Sequence, residues 1–233
     1  MEELRENLKR INERINEAAS RAGRKPEDIQ LVAVTKTVET ERVREGIEAG
    51  LKVLGENRVQ EAEGKILELG HGVQWHMIGH LQTNKVKKAV ALFDMIHSVD
   101  SLHLAFEIEK RASALGKQMP ILLQVDLAGE ETKSGFSKEE LFDALPQMAG
   151  LAHIKICGVM TIPPFSPDPE ASRPYFRELS DLREKIAGIY PEGIRMDILS
   201  MGMSQDFEVA IQEGANMVRI GTALFGPRCC KRG

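Results

Sequence analysis

The chain has 233 residues, 42% of them hydrophobic and 28% charged, with a formal net charge of −4. This is the balance of a soluble globular protein with a sizeable core, and it lacks the basic excess that nucleic acid or an anionic membrane would call for. Aromatic residues make up only 5%, against stacking platforms for single-stranded nucleic acid, and three cysteines without C-x-x-C spacing argue against a disulfide framework and a zinc site.

The first residues, MEELRENLKRINERI, contain no apolar stretch of the signal-peptide kind, and no run approaches a membrane span. A cytoplasmic location is therefore expected. Leu4, Leu8, Ile11, Ile15, Ala18 and Ala22 draw one apolar stripe on a charged helix. Its three heptads are short for a coiled coil, so the helix (residues 1–23) is expected to pack on the rest of the fold. Gly23 and Pro26 end it.

Eight short apolar runs follow, each trailed by a segment of helical periodicity. They are Gln30 to Thr35, Lys52 to Leu54, Gln74 to Ile78, Met95 to Val99, Ile121 to Val125, Ile154 to Met160, Arg195 to Leu199 and Met217 to Ile220. The runs are continuously apolar more than alternating, as in parallel strands buried on both faces. Thr40 and Ser101 are candidate helix caps, Ser137 with Glu140 reads as a capping box, and Gly50, Gly116 and Gly150 close helices. Val59, Ala62, Ile66 and Leu69, then Phe176, Leu179, Leu182 and Ile186, are core stripes. Cys157 reads as a small core residue. The loop TIPPFSPDPE is Pro-rich, and residues 227–233 form a tail holding Cys229 and Cys230.

The alternation predicts an α/β fold, a single (β/α)8 barrel with an extra N-terminal helix over residues 1–233. A doubly wound open sheet is the alternative, disfavoured because no G-x-G-x-x-G follows the first strand. Barrel sites lie at the C-terminal strand ends, so polar residues there take priority.

Lys36 ends the first run, where a partly desolvated amine is a better nucleophile toward an aldehyde. A surface lysine at a strand–loop boundary is the competing reading. Glu56 and Asn57 sit at the lip of the second strand, as helix caps or site residues. His80 lies just past the third, and is a better site candidate than His76. His97 and Asp126 end later strands without an assigned role, and Lys133 reads as an exposed loop residue. Strand seven leads into Ser200, Met201, Gly202, Met203 and Ser204, and strand eight into Arg219, Ile220, Gly221 and Thr222. Two small-residue turns at these places are the usual phosphate cradle of such barrels, with Gly202 and Gly221 allowing close approach and Ser200 and Thr222 offering hydroxyls. A ligand carrying both an aldehyde and a phosphate fits one lysine opposite that cradle, and pyridoxal 5'-phosphate (PLP) is the obvious candidate.

These motifs are AVTK ending at Lys36, GENRVQE from Gly55, WHMIGHLQTNK from Trp75, SVDS from Ser98, KSGF from Lys133, GVMTI from Gly158, LSMGMSQDFEVAI from Leu199 and VRIGTALFG from Val218. In that order, across nearly the whole chain, they resemble the pyridoxal phosphate homeostasis proteins. The resemblance implies the barrel of the alanine racemase N-terminal domain, with Lys36 as the Schiff-base lysine and Ser200, Gly202, Gly221 and Thr222 on phosphate-binding segments. It also implies Arg219 facing the pyridine nitrogen, with Asn57 and His80 lining the pocket. It further implies a role in PLP homeostasis without established catalysis.

An arginine at the pyridine nitrogen disfavours its protonation and weakens the ring as an electron sink. Racemase-like enzymes take a second base from an added β-domain, whereas this chain ends soon after the eighth strand, and Tyr175 and Tyr190 fall outside the expected mouth. A PLP carrier is therefore expected, monomeric and possessing PLP-dependent apoenzymes as potential recipients. A racemase-like PLP enzyme and a Schiff-base aldolase for a phosphorylated sugar are the competing readings.

Overall fold

A computed structural model describes residues 1–129, 134–190 and 194–226. Lys133, Cys229 and Cys230 lie outside the described residues. Helix α1 (Glu2–Arg21) precedes the first strand, β1 (Gln30–Val34). Strands and helices then alternate as α2 (Thr40–Glu48), β2 (Val53–Glu56), α3 (Val59–Leu69), β3 (Gln74–Met77), α4 (Val86–Leu92), β4 (Met95–Val99) and α5 (Leu102–Ala114). The second half continues through β5 (Met119–Gln124), α6 (Lys138–Met148), β6 (Ile154–Met160), α7 (Arg173–Ile189), β7 (Ile198–Ser200), α8 (Phe207–Gln212), β8 (Met217–Ile220) and the short α9 (Thr222–Phe225). The eight strands close a parallel barrel in sequence order, with β1 paired to β8 from Gln30 opposite Met217 to Ala33 opposite Ile220. This is the expected (β/α)8 barrel, not an open sheet.

Burial explains why apolar runs became strands. Inside the ring, Val32, Leu122 and Met160 are fully buried, and between ring and helices so are Ala33, Ile96, Leu123 and Val218. Helix α1 lays Ile11, Ile15, Ala18 and Ala19 against the same core and also buries Leu4. Polar contacts fix its place. Arg14 grips Glu208 of α8 in two hydrogen bonds of 3.0 and 2.8 Å, and Asn7 Nδ2 donates to the Leu224 carbonyl at 3.0 Å.

Several local expectations hold. Ser101 accepts from the Leu104 N–H, and Ser137 and Glu140 form a reciprocal capping box. Cys157 is buried. Others are corrected. Thr40 is the first helical residue and Glu39 the cap, with no side-chain cap bond. Glu56 caps nothing: it is a buried residue of β2, and Arg58 stands at the start of α3. Strand β2 therefore runs two residues further than expected, because Glu56 is neutralised from outside the strand. Strand β7 begins at Ile198 instead of Arg195, because Asn216 takes its place in the ladder there. The Asn216 side chain accepts from the Leu199 N–H at 2.8 Å and donates to the Asp197 carbonyl at 2.6 Å.

The barrel leaves no room for a side chain where Gly158 of β6 pairs with Ile198 of β7. A Cβ on residue 158 would sit 1.8 Å from the Ile198 carbonyl oxygen. Gly158→Ala is expected to destabilise the fold by at least about 3 kcal/mol in urea unfolding, at the upper end for overpacking because backbone has to move. A loss below ~1 kcal/mol would contradict this packing.

Candidate functional site

The loop after β1 is held by a buried ion network. Lys65 of α3 is 5% exposed, and its ammonium donates to the Thr35 carbonyl at 2.6 Å and to Glu56 Oε1 and Glu61 Oε1 at 2.7 Å each. Thr35 Oγ1 donates to the same Glu56 oxygen at 2.7 Å. Glu61 also accepts from the Thr37 N–H at 2.6 Å, which steadies a non-glycine residue at φ +61°. Lys36 lies between these two pinned threonines. Burial pushes the Glu56 carboxyl up from its ordinary value, and Lys65 and Thr35 pull it back.

On the strand next to β1, Arg219 of β8 is 3% exposed. It donates to Ser200 Oγ at 2.8 Å and to the Thr161 carbonyl at 2.9 Å. Burial pulls its guanidinium down to about 10, with Asp206 opposing, so it remains a cation at neutral pH. Beneath it runs a chain of buried side chains: Ser200 Oγ is 3.4 Å from His97 Nδ1, and His97 Nε2 is 3.0 Å from His76 Nδ1. Because Ser200 accepts from Arg219, its own proton is assigned toward His97, which in turn donates to His76. Both histidines are neutral. Burial lowers His76 to about 4 against a weak pull from Asp94, and burial, His76 and Arg219 hold His97 well below its ordinary value.

The turn after β7 is built by Asp206, whose carboxylate accepts from the Met203 N–H at 2.7 Å and from Ser172 Oγ at 2.9 Å. This brings Ser204 Oγ to within 3.3 Å of both the Gly221 and Ala223 N–H groups. Two backbone donors thus converge on one oxygen position.

Lys36, Asn57, Arg219, Gly221 and Thr222 line one cavity of about 440 Å³, with Ser204 and the Ile162–Ser166 loop completing its wall. Of the other expected residues, Ser200 is fully buried under Arg219. Gly202, at φ +90°, packs into the β7–α8 turn, where a Cβ would meet Ala210 at 2.6 Å. Neither lines the cavity. His80 stands in neighbouring recesses, its Nδ1 3.0 Å from Asp100 Oδ2 and from Ser134 Oγ. Ser204, Lys65 and Glu61 were not singled out from sequence. Ser204 had a signal, the small-residue turn it belongs to. Glu61 and Lys65 offered only an ordinary i, i+4 pair on a helix. Among the described residues, no group of three or more His, Cys, Asp or Glu side chains is placed to hold a metal, and no helix is long and apolar enough to cross a membrane.

Residues 6–229 match the family model described as alanine racemase, N-terminal domain. A pyridoxal phosphate homeostasis protein of Aquifex aeolicus is 47% identical over 224 residues, 96% of this chain and 97% of that one. Its counterpart of the same name in Escherichia coli K12 is 38% identical over 232 residues, 98% of each chain. Among solved structures, PipY of Synechococcus elongatus PCC7942 with PLP bound is 39% identical. It aligns over 91% of this chain and 100% of that chain at a TM-score of 0.82.

Two outcomes follow from the buried charges. Lys65→Met leaves Glu56 uncompensated and is expected to cost about 3–5 kcal/mol in chemical unfolding at neutral pH. A carboxyl whose folded pKa is raised loses stability as pH rises through that range, so the deficit should be smaller at pH 5 than at pH 8, and Glu56→Gln in the same chain should recover part of it. The histidines act in the opposite sense. A histidine depressed in the fold contributes stability above its unfolded pKa that is lost as pH falls. For His76 this is about 3 kcal/mol, lost between roughly pH 6.5 and 4. In His76→Gln, the slope of stability against pH across that window should flatten. An unchanged slope would show that His76 is not the group responsible.

Proposed function

The chain belongs to the pyridoxal phosphate homeostasis protein family, and from that premise we propose that it holds PLP in the cavity at the barrel mouth and buffers or supplies it without turning over a substrate. The observation that carries this reading is the single cavity shared by Lys36, Arg219 and the Ser204–Gly221–Thr222 turns. The PLP-bound PipY structure, alike over its whole length, supports it.

The residues present suit the group. Lys36 would hold the group at its aldehyde end, being the one lysine among the described residues lining the cavity. The hydroxyls of Ser204 and Thr222 line the cavity as donors for the phosphate, with Ser204 Oγ held in place by the Gly221 and Ala223 N–H groups. Asn57 closes the β2 side. PLP, when bound, supplies an electron sink at its pyridine ring. Arg219 is a fixed cation that donates to a hydroxyl and a carbonyl, and it offers no carboxylate to hold a proton on the ring nitrogen. That weakens the sink and favours storage over catalysis. Ser200 acts by orienting Arg219, and Gly202 by closing the turn beneath Ser204. His80 stands beside the cavity. The recipients under this reading are PLP-dependent apoenzymes, and the protein is a cytoplasmic monomer.

Mixing the protein with PLP, reducing with borohydride and mapping the adduct by mass spectrometry tests the site. The phosphopyridoxyl group is expected on Lys36. Lys36→Ala should lose it and bind PLP at least about tenfold more weakly, roughly 1.4 kcal/mol. An adduct at another lysine in the unaltered chain would overturn the assignment. Robust racemisation of any of several amino acids by the loaded protein would overturn the non-catalytic reading.

A further inference from the structure

Two large apolar side chains in the wall of the Lys36 cavity stand in solvent. Phe165 is 83% exposed and Ile162 37%, and both line the cavity with Lys36 and Arg219. A single exposed apolar residue says nothing about function. Leu67 of α3 is as exposed as Phe165 but stands outside the cavity. What sets Phe165 apart is its place in that wall. The aliphatic side chains that the strands bring to the same cavity, Val34 and Ile78, are buried and belong to the cluster that fills the barrel interior.

The segment that carries both residues joins β6 to α7, and its ends are tied to the cavity. Thr161 Oγ1 donates to the Val125 carbonyl at 2.9 Å, while the Thr161 carbonyl accepts from Arg219 at 2.9 Å. At the far end, Ser172 Oγ donates at 2.9 Å to Asp206, which lines the same cavity. Pro163 and Pro164 have no N–H to give. Among the described residues, no hydrogen bond reaches the backbone of Ile162, Pro163, Pro164 or Phe165. The stretch can therefore settle on a ligand without breaking a hydrogen bond, and its anchors keep it over the cavity while it does so.

We propose that Ile162 and Phe165 are the specificity determinants of this cavity: they cover a planar aromatic ring held there, and so select an aromatic aldehyde phosphate over an aliphatic one. The proposal rests on the PLP reading above for what the cavity holds. A lysine and hydroxyl donors recognise an aldehyde and a phosphate whatever lies between them, so they cannot make this choice. Apolar contact can. Val34 and Ile78 offer the ring an apolar surface from the strands, and Phe165 adds an aromatic face whose contact with another ring exceeds what its area alone contributes. Ring and side chain leave water together, which gives Phe165 the partner that the protein itself does not supply. The contact is non-covalent, and it slows release without adding any group that acts on the ligand.

The test begins with hydroxyl-radical footprinting of the full, unaltered chain, free and after loading with PLP and borohydride reduction. The same mass spectra locate the adduct, so the Lys36 assignment is read separately from the fate of Phe165. Oxidation of Phe165 is expected to be largely lost on loading, while that of Leu67, equally exposed in the free chain, stays as it was. Binding of PLP and of glyceraldehyde 3-phosphate, an aliphatic aldehyde phosphate, is then compared in Phe165→Ala and Phe165→Tyr. Phe165→Ala should bind PLP at least about threefold more weakly with the affinity for glyceraldehyde 3-phosphate unchanged, and Phe165→Tyr should keep the affinity for PLP. Oxidation of Phe165 that loading leaves unaltered, or an equal loss for both ligands in Phe165→Ala, overturns the proposal. PLP affinity unchanged in Phe165→Ala, with only the handover of PLP to an apoenzyme slowed, overturns it in favour of a contact with the recipient protein.

Discussion

The position of Lys36 depends on a lysine that never reaches the cavity. The Lys65 ammonium binds the end of β1 through the Thr35 carbonyl, the end of β2 through Glu56, and the first turn of α3 through Glu61. Three elements that meet at the barrel mouth are thus tied to one buried point charge. Such an arrangement is stable only when its hydrogen bonds are nearly all satisfied. Here every donor of the ammonium has an acceptor, while one oxygen of Glu56, Oε2, has no partner among the described residues. The network fixes a backbone conformation that a threonine does not favour, at Thr37, and so dictates where the preceding side chain, Lys36, emerges.

A second column of polar contacts crosses the interior of the ring. From the Thr161 carbonyl it passes through Arg219 and Ser200 to His97 and His76. Its single charge sits at the cavity end and its neutral groups in the interior. The barrel thus meets a ligand with a positive floor that cannot be titrated away near neutral pH. The two columns divide the labour: one places Lys36, the other sets the charge at the cavity floor.

Much of this was legible in the sequence because barrel strands buried on both faces are written as apolar runs, and Met95–Val99, Ile154–Met160 and Met217–Ile220 have the boundaries those runs indicate. The misplaced strands failed for local reasons. Glu56 is a charged residue inside a strand, tolerable only because Lys65 reaches it from another helix, and β7 is displaced by a side chain, Asn216, standing in for backbone. The cavity residues at strand ends could be found by topology alone. Ser200 and Gly202 mark the limit of topology: the strand end places them near the mouth, but the inward direction of the Ser200 side chain and the close packing of the Gly202 backbone in the β7–α8 turn keep both out of the cavity lining. Lys65 was hidden because nothing distinguishes a buried helix lysine from a solvated one until the strands beneath it are in place.

Ring closure has a kinetic side. The β1–β8 seam joins residues near 30 to residues near 217, and Asn7 on α1 bonds to Leu224 across almost the whole chain. A chain emerging from the ribosome in order therefore makes β1 first and must leave its outer edge unpaired until β8 has been synthesised. Contacts of such sequence separation are slow to form. The Lys36 loop can be pinned early, since Thr35, Glu56 and Lys65 all belong to the first part of the chain, but the turns after β7 and β8 arrive last. A ligand that needs both halves can stabilise only the closed ring, and so it secures the product of folding without assisting its early steps.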